Sequence, residues 1–385
     1  MGNRANAFHV DKRLEQPERV MLVGIMLSAD YSGANETRER AFQAALSEAA
    51  ELVRATGGDL VCTETAKRDR AHSALFVGTG KAEELAEAVR AHDIELVVFN
   101  HELTPTQERN LERTLQCRVL DRVGLILAIF AQRAQSQEGK LQVELAQLSH
   151  LSGRLVRGYG HLQSQRGGIG LKGPGETQLE TDRRLISQKI SALKKQLQDV
   201  EKQRATRRKS RISGSIQTFA IVGYTNAGKS SLFNRLTKAD VLAKDQLFAT
   251  LDTTARRLYL SQEASVILTD TVGFVRDLPH QLVSAFSATL EETALADLLL
   301  HVVDSSHADF ERQIEDVGTV LAEIGADKVP QLLVYNKIDC LPEGTRRAGI
   351  LRDTQGRVAA VNISVQEGWG LDDLRTAMIE FALQQ

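Results

Sequence analysis

Gly223-Tyr224-Thr225-Asn226-Ala227-Gly228-Lys229-Ser230 decides the reading of this chain. It follows the apolar run Phe219-Ala220-Ile221-Val222 and precedes a segment whose apolar positions, Leu232, Phe233 and Leu236, recur at helical spacing. Strand, glycine-bounded turn and helix in that order make a phosphate-binding loop. Two glycines let the backbone wrap an anion, successive amides point inward, and the Lys229 ammonium bridges the outer phosphates. The Ser230 hydroxyl is placed to ligate magnesium, and Ser231 follows it into the helix.

That loop specifies phosphate and leaves the base open. Asn336-Lys337-Ile338-Asp339, directly after the strand-like Leu332-Leu333-Val334-Tyr335, supplies it. A carboxylate at Asp339 accepts from both guanine N1–H and the exocyclic amine, a pairing adenine cannot offer because its N1 is itself an acceptor. Asp270-Thr271-Val272-Gly273 ends a third apolar run, Val266-Ile267-Leu268. Here Asp270 is expected to hold magnesium through water, with the Gly273 amide facing the γ-phosphate. Within Ala249–Arg256, Thr254 is preferred over Thr253 as the metal-sensing threonine of a mobile loop. Ser364 and Val365, after the strand Val358–Val361, are expected to cover the base. Three motifs at the C-terminal ends of predicted strands put GTP or GDP where open α/β sheets bind ligands.

The catalytic set expected is Lys229, Thr254, Gly273 and Asn226. The residue after Gly273 is Phe274, where many switch GTPases carry a glutamine that orients water. Phenylalanine cannot do this, so slow hydrolysis and stimulation by a partner are expected. An asparagine at the place of Asn226 coordinates potassium in a related group of GTPases, so Asn226 reads either as a turn residue or as a potassium ligand.

Working outward, 385 residues exceed one ordinary core and suggest several domains. Hydrophobic residues at 42% and charged residues at 25% exclude a disordered or fibrous class. Cys62, Cys117 and Cys340 show no paired spacing, which argues against a disulfide framework or a zinc site and fits a reducing cytosol. The longest apolar run, Gly124 to Ala131, falls short of the roughly 20 residues of a membrane span. A cytoplasmic protein is expected.

The first third alternates Val20–Leu27, a helix near Glu36–Ala55, Leu60–Thr63, Leu75–Val77, a helix from Lys81, Ile94–Phe99 and a helix after Pro105. That alternation predicts a small parallel α/β domain. Gly78-Thr79-Gly80-Lys81 hints at a second phosphate site, against the simpler reading of a tight turn that needs glycine. The divisions expected are a tail over 1–18, the α/β domain over 19–134, a helical hairpin over 135–212 and a Ras-like phosphate-loop domain over 213–385.

Charge singles out the hairpin. From Ala131 to Ser213 there are 17 Lys/Arg against 7 Asp/Glu, a local +10 that leaves −12 for the rest of a chain of net −2. Leu141, Leu145, Leu148, Leu151 and Leu155 recur at helical spacing, as do Leu179, Ile186, Ile190, Leu193, Leu197 and Val200, which predicts two antiparallel helices. The loop between them is rich in glycine. Arg154, Arg157, Tyr159, Arg166 and Lys172 in and beside it suit phosphate and base contacts with structured RNA, against the alternative of a structural spacer with a solvated basic face.

The stretch Arg166-Gly167-Gly168-Ile169-Gly170-Leu171-Lys172-Gly173-Pro174-Gly175-Glu176-Thr177-Gln178-Leu179-Glu180-Thr181-Asp182-Arg183-Arg184, with the phosphate loop and Asp270-Thr271-Val272-Gly273-Phe274-Val275-Arg276-Asp277-Leu278-Pro279-His280, resembles the HflX family of GTPases over residues 20 to 385. The resemblance implies a magnesium-dependent GTPase, acting as a monomer, that binds the large ribosomal subunit and its rRNA near the peptidyl-transferase centre. It further implies splitting of ribosomes under stress such as heat shock, and ATP use by the N-terminal domain, for which Gly78–Lys81 is an incomplete element. Two departures stand out. The loop reads Lys229-Ser230-Ser231 where many members have Lys-Ser-Thr, and the chain stops soon after Ser364, without the extra C-terminal domain of some members. An assembly factor or RNA chaperone gated by GTP, and a signalling switch acting on a protein away from the ribosome, remain as alternatives.

Overall fold

The computed structural model describes residues 17–30, 35–157, 174–212, 216–238, 248, 251, 254–262, 264–275 and 287–383. The chain divides into two compact units: 1–132 with 143–194, and 133–142 with 195–385.

The first unit holds a four-stranded parallel sheet in the order β2-β1-β3-β4. Strand β1 (Arg19–Leu27) is apolar along almost its whole length, as a strand covered on both faces must be. Helix α1 (Asn35–Ala55) leads to β2 (Asp59–Arg68), then α2 (Thr79–Ala91) to β3 (Leu96–Phe99). Next, α3 (Pro105–Leu115) starts with a capping box between Thr104 and Gln107 and with proline at its first position, which satisfies its free amides. Strand β4 (Arg118–Leu120) and helix α4 (Arg122–Arg133) complete the α/β pattern, and the apolar run from Gly124 lies buried in α4. Met21, Val23, Ile25, Val97 and Phe99 pack with Leu85 and Leu111 as the core.

One expected strand fails. Leu75–Val77 is a turn, because the His72 ring accepts the Ala74 and Leu75 amides at 3.2 Å each and Phe76 takes a φ of 60°. Three apolar residues there plug the core without extending the sheet.

Helices α5 (Gln137–Arg157) and α6 (Pro174–Ile212) are the two of the expected hairpin. Val143, Leu145 and Ala146 are buried on α5, Leu193 and Leu197 on α6, and Glu144 meets Lys189 at 2.6 Å. Tyr159, Arg166 and Lys172 lie outside the described residues.

The second unit contains a seven-stranded sheet in the order β10-β11-β9-β8-β5-β7-β6. Its strands are β5 (Thr218–Gly223), β6 (Thr254–Tyr259), β7 (Ser265–Asp270), β8 (Leu298–Asp304), β9 (Gln331–Asn336), β10 (Gly349–Arg352) and β11 (Val358–Asn362). The five central strands β11, β9, β8, β5 and β7 are parallel, and the two edge strands antiparallel. Helices α7 (Lys229–Thr237), α8 (Ser287–Ala294), α9 (Phe310–Glu323) and α10 (Leu371–Leu383) complete it. Phe219, Ile221, Phe233, Val302, Val334 and Met378 form its core. The four loops of interest all follow the C-terminal ends of β5, β7, β9 and β11, so parallel strand order alone brings them to one end of the sheet. No helix among the described residues is long and apolar enough to cross a membrane.

Candidate active site

The loop from β5 to α7 is shaped by what surrounds it. Gly223 has a φ of 143°, and a β-carbon there would lie 2.2 Å from the Val302 carbonyl of β8. At Gly228, φ is 95° and the same atom would lie 2.3 Å from Asn336 Nδ2. Both positions therefore require glycine for space as well as conformation. Asn226 is exposed with a left-handed φ of 61°, which asparagine tolerates better than most residues. Tyr224, Thr225 and Ala227 are buried, and the Thr225 hydroxyl has no protein partner, a fit for a group that meets a ligand.

Lys229 sits beneath the loop and donates to the Tyr224 carbonyl at 2.7 Å. Burial pushes its pKa down to about 8, against the opposing pull of Asp270. A buried ammonium whose charge is disfavoured by burial is one that gains from an arriving phosphate. Ser230 Oγ donates to Asp270 Oδ2 at 2.8 Å, so a hydroxyl and a fully buried carboxylate stand together. Hard oxygen donors of this kind suit magnesium, which takes few protein ligands and completes its shell with phosphate and water. No group of three or more His, Cys, Asp and Glu placed to hold a metal exists among the described residues. Ser231 is exposed on α7.

Thr254 corrects part of the expectation. It is the first residue of β6 and pairs with Asp270 across the ladder, so it belongs to a strand and not to a mobile loop. Its side chain shares the face of Asp270. Phe274 goes further than the sequence suggested: its ring is buried, its amide donates to the Gly223 carbonyl at 3.1 Å, and its carbonyl accepts from Thr225 at 2.7 Å. Gly273 lies under this pairing, with its β-carbon position 2.9 Å from Lys229 Nζ.

Asn336 joins the two halves of the site. Its Nδ2 donates to the Ala227 carbonyl at 2.9 Å and its Oδ1 accepts the Val365 amide at 3.0 Å. Three residues on, burial works against the Asp339 carboxylate, but hydrogen bonds from Ser364 and Cys340 outweigh it and hold the group below its ordinary range. An ionised carboxylate is what a guanine edge requires. Lys337 adopts a φ of 62° and pairs with Asp304 at 2.7 Å. The sequence reading missed Asp304 and Ser305; the only signal was a polar Asp-Ser-Ser ending the apolar run Leu298–Val303.

Two other basic residues have their partners within the first unit. Arg154 forms an ion pair with Asp121 at 2.7 Å and another with Glu108, so it is engaged by the first unit's own carboxylates. Lys81 is bound by Glu64 at 2.9 Å and Glu84 at 3.1 Å, and Gly78 has a φ of 87°, so Gly78–Lys81 is the glycine-requiring turn.

Residues 43–131 match a family described as GTP-binding GTPase N-terminal, 133–211 its middle region, and 218–337 the 50S ribosome-binding GTPase family. GTPase HflX of Escherichia coli K12 is 54% identical over 87% of this chain and 78% of its own length. GTPase HflX of Magnetococcus marinus is 50% identical over 87% of this chain and 77% of its own. The solved structure of SsGBP in complex with GDP covers 95% of this chain and 99% of its own at 23% identity and a TM-score of 0.51, a likeness of fold. With the guanine-nucleotide motifs assembled at one end of its sheet, the chain belongs to the HflX family of GTPases.

Proposed function

We propose that this GTPase binds the large ribosomal subunit through its basic hairpin and uses the GTP cycle to split ribosomes under stress such as heat shock. The observation that carries the reading is the match of 218–337 to the 50S ribosome-binding GTPase family on a chain whose residues 131–213 hold 17 Lys/Arg against 7 Asp/Glu. A cation of that density gains affinity for rRNA by releasing counterions from the phosphates it meets. Arg157, Tyr159, Arg166 and Lys172 are the contacts proposed, the tyrosine stacking on an unpaired base. Magnesium is held by Ser230, by Asp270 through water and by Thr254 when GTP is bound. Hydrolysis is slow in the free protein, because Phe274 is spent on packing, and the ribosome stimulates it. The protein acts as a monomer in the cytoplasm.

Co-sedimentation with ribosomal subunits in a GTP analogue, in GDP and without nucleotide tests partner and switching together. Binding to large subunits that is strongest with the analogue, falls steeply with salt, and is lost when Arg157, Arg166 and Lys172 become alanine supports the proposal. Sucrose gradients then test splitting: GTP-dependent conversion of intact ribosomes into free subunits is expected. Binding confined to immature subunits would instead make the protein an assembly factor, and failure to bind any particle would point to a partner away from the ribosome.

A further inference from the structure

Asp304 ends β8 directly beside the end of β9, because Asp304 and Asn336 are register partners in the parallel ladder. Neither Asp304 nor Ser305 belongs to the phosphate loop or to the Asn336–Asp339 motif, yet both grip the latter. Asp304 Oδ2 accepts from Lys337 Nζ at 2.7 Å. Its Oδ1 accepts from the Ser306 amide at 3.0 Å and from the Ser306 hydroxyl at 2.6 Å, so both carboxylate oxygens are fixed. The Ser305 amide and hydroxyl both donate to the Asn336 carbonyl, at 3.0 and 2.7 Å.

The residue these contacts hold is in a conformation it would not choose. Lys337, at a φ of 62°, carries a side chain in left-handed space that residues with a β-carbon avoid. The bend is needed because Asn336 reaches back to Ala227 while Asp339 faces Ser364, and Lys337 sets the direction between them. Strained backbone of this kind persists where its surroundings over-determine it. Asp304 and Lys337 side chains are 16% and 28% exposed, so water screens their attraction less than that of a surface pair.

We propose that Asp304, supported by Ser305, is a positioning residue for guanine recognition: it clamps Lys337 in its left-handed bend and so aims Asp339 at the base. It acts through Lys337 and needs no contact with nucleotide.

The test compares GDP with inosine diphosphate, which carries the same phosphates and lacks only the 2-amino group that Asp339 also reads. Affinities for both are measured by equilibrium titration on the full chain for Asp304→Asn, Lys337→Met and the double variant. Asp304→Asn is expected to weaken GDP about tenfold, the scale of one charge-assisted hydrogen bond, and inosine diphosphate much less, so the preference between them shrinks. The double variant should be no worse than Lys337→Met, because both changes remove the same link. General loosening of the domain would weaken both nucleotides equally, and that result, or additive losses, overturns the proposal. Ser305→Ala keeps both charges and guards against a variant that fails to fold. It should shrink the preference to a smaller degree, and an unchanged preference in a folded Ser305→Ala protein counts against the clamp just as firmly.

Discussion

Among the described residues, two glycine-rich turns end in lysine at the start of a helix, and the two lysines meet opposite surroundings. At Gly78–Lys81, burial works against the ammonium, but bonds to Glu64 and Glu84 outweigh it and hold the Lys81 pKa above its ordinary value. At Gly223–Ser230, Lys229 donates to a neutral carbonyl and burial drops its pKa to about 8. One lysine has its anions; the other is desolvated and short of them. Glycines shape both turns, so the lysine's surroundings, more than the loop's outline, separate a phosphate site from a structural corner.

The sharpest way to break that comparison is to remove each ammonium. Lys229→Met is expected to weaken GTP binding on the order of 100-fold or more, the cost of losing a buried charge partner for phosphate. Lys81→Met should leave GTP affinity within about twofold, since its ion pairs are largely exposed on the glutamate side. Titration with a fluorescent GTP analogue reads both, and comparable losses would erase the distinction.

Proton linkage probes the same contrast without mutation. A free-state pKa of about 8 means that Lys229 is largely neutral at pH 9, and bound phosphate favours its charged form. Binding therefore raises this pKa, so the protein takes up a proton on binding above pH 8. Affinity is fully present below that value and declines by up to about tenfold per pH unit above it, until the bound-state pKa is reached. Calorimetry at pH 9 in buffers of different ionisation enthalpy should show that uptake. Its absence would mean Lys229 stays charged in the free protein.

How much of this could be read beforehand follows the range of the contacts. The phosphate loop, Asp270 and Asp339 were legible because each motif places its own groups within a few residues, just after an apolar strand. Asp304 was not, because its meaning depends on pairing with β9, more than thirty positions on. The partners of Arg154 were hidden for the same reason: charge counts alone do not reveal a buried Asp121 across the fold. Thr254 looked like loop because Thr253, Arg256 and Arg257 around it leave no apolar run, as an edge strand allows.

Phe274 offers a smaller perturbation of the active loop. The ring is 2% exposed, and its backbone pairs with Gly223 and Thr225. Phe274→Leu should cost roughly 1–2 kcal/mol of stability, as a reduction of packed volume does. Turnover of the free protein should stay within about threefold, because the ring never orients water. Thermal unfolding and phosphate release measure the two, and a large loss of rate at unchanged stability would give the ring a role in catalysis.

The smallest effect expected separates the two loops at a single residue. In the first turn a glycine, Gly78, supplies the positive φ; in the second, Asn226 does so beside Gly223 and Gly228 while carrying a carboxamide. If that carboxamide matters only for the bend, Asn226→Gly should be silent, since glycine takes a φ of 61° at no cost. If its oxygen also ligates potassium beside the phosphates, the cation stabilises charge in the transition state and turnover should be several-fold faster in potassium than in sodium, on the order of 1 kcal/mol. We expect the second outcome, with Asn226→Gly erasing the difference while GDP affinity stays unchanged. Equal rates in the two salts would leave Asn226 as a turn residue, and the contrast between the two loops would then rest on the surroundings of their lysines.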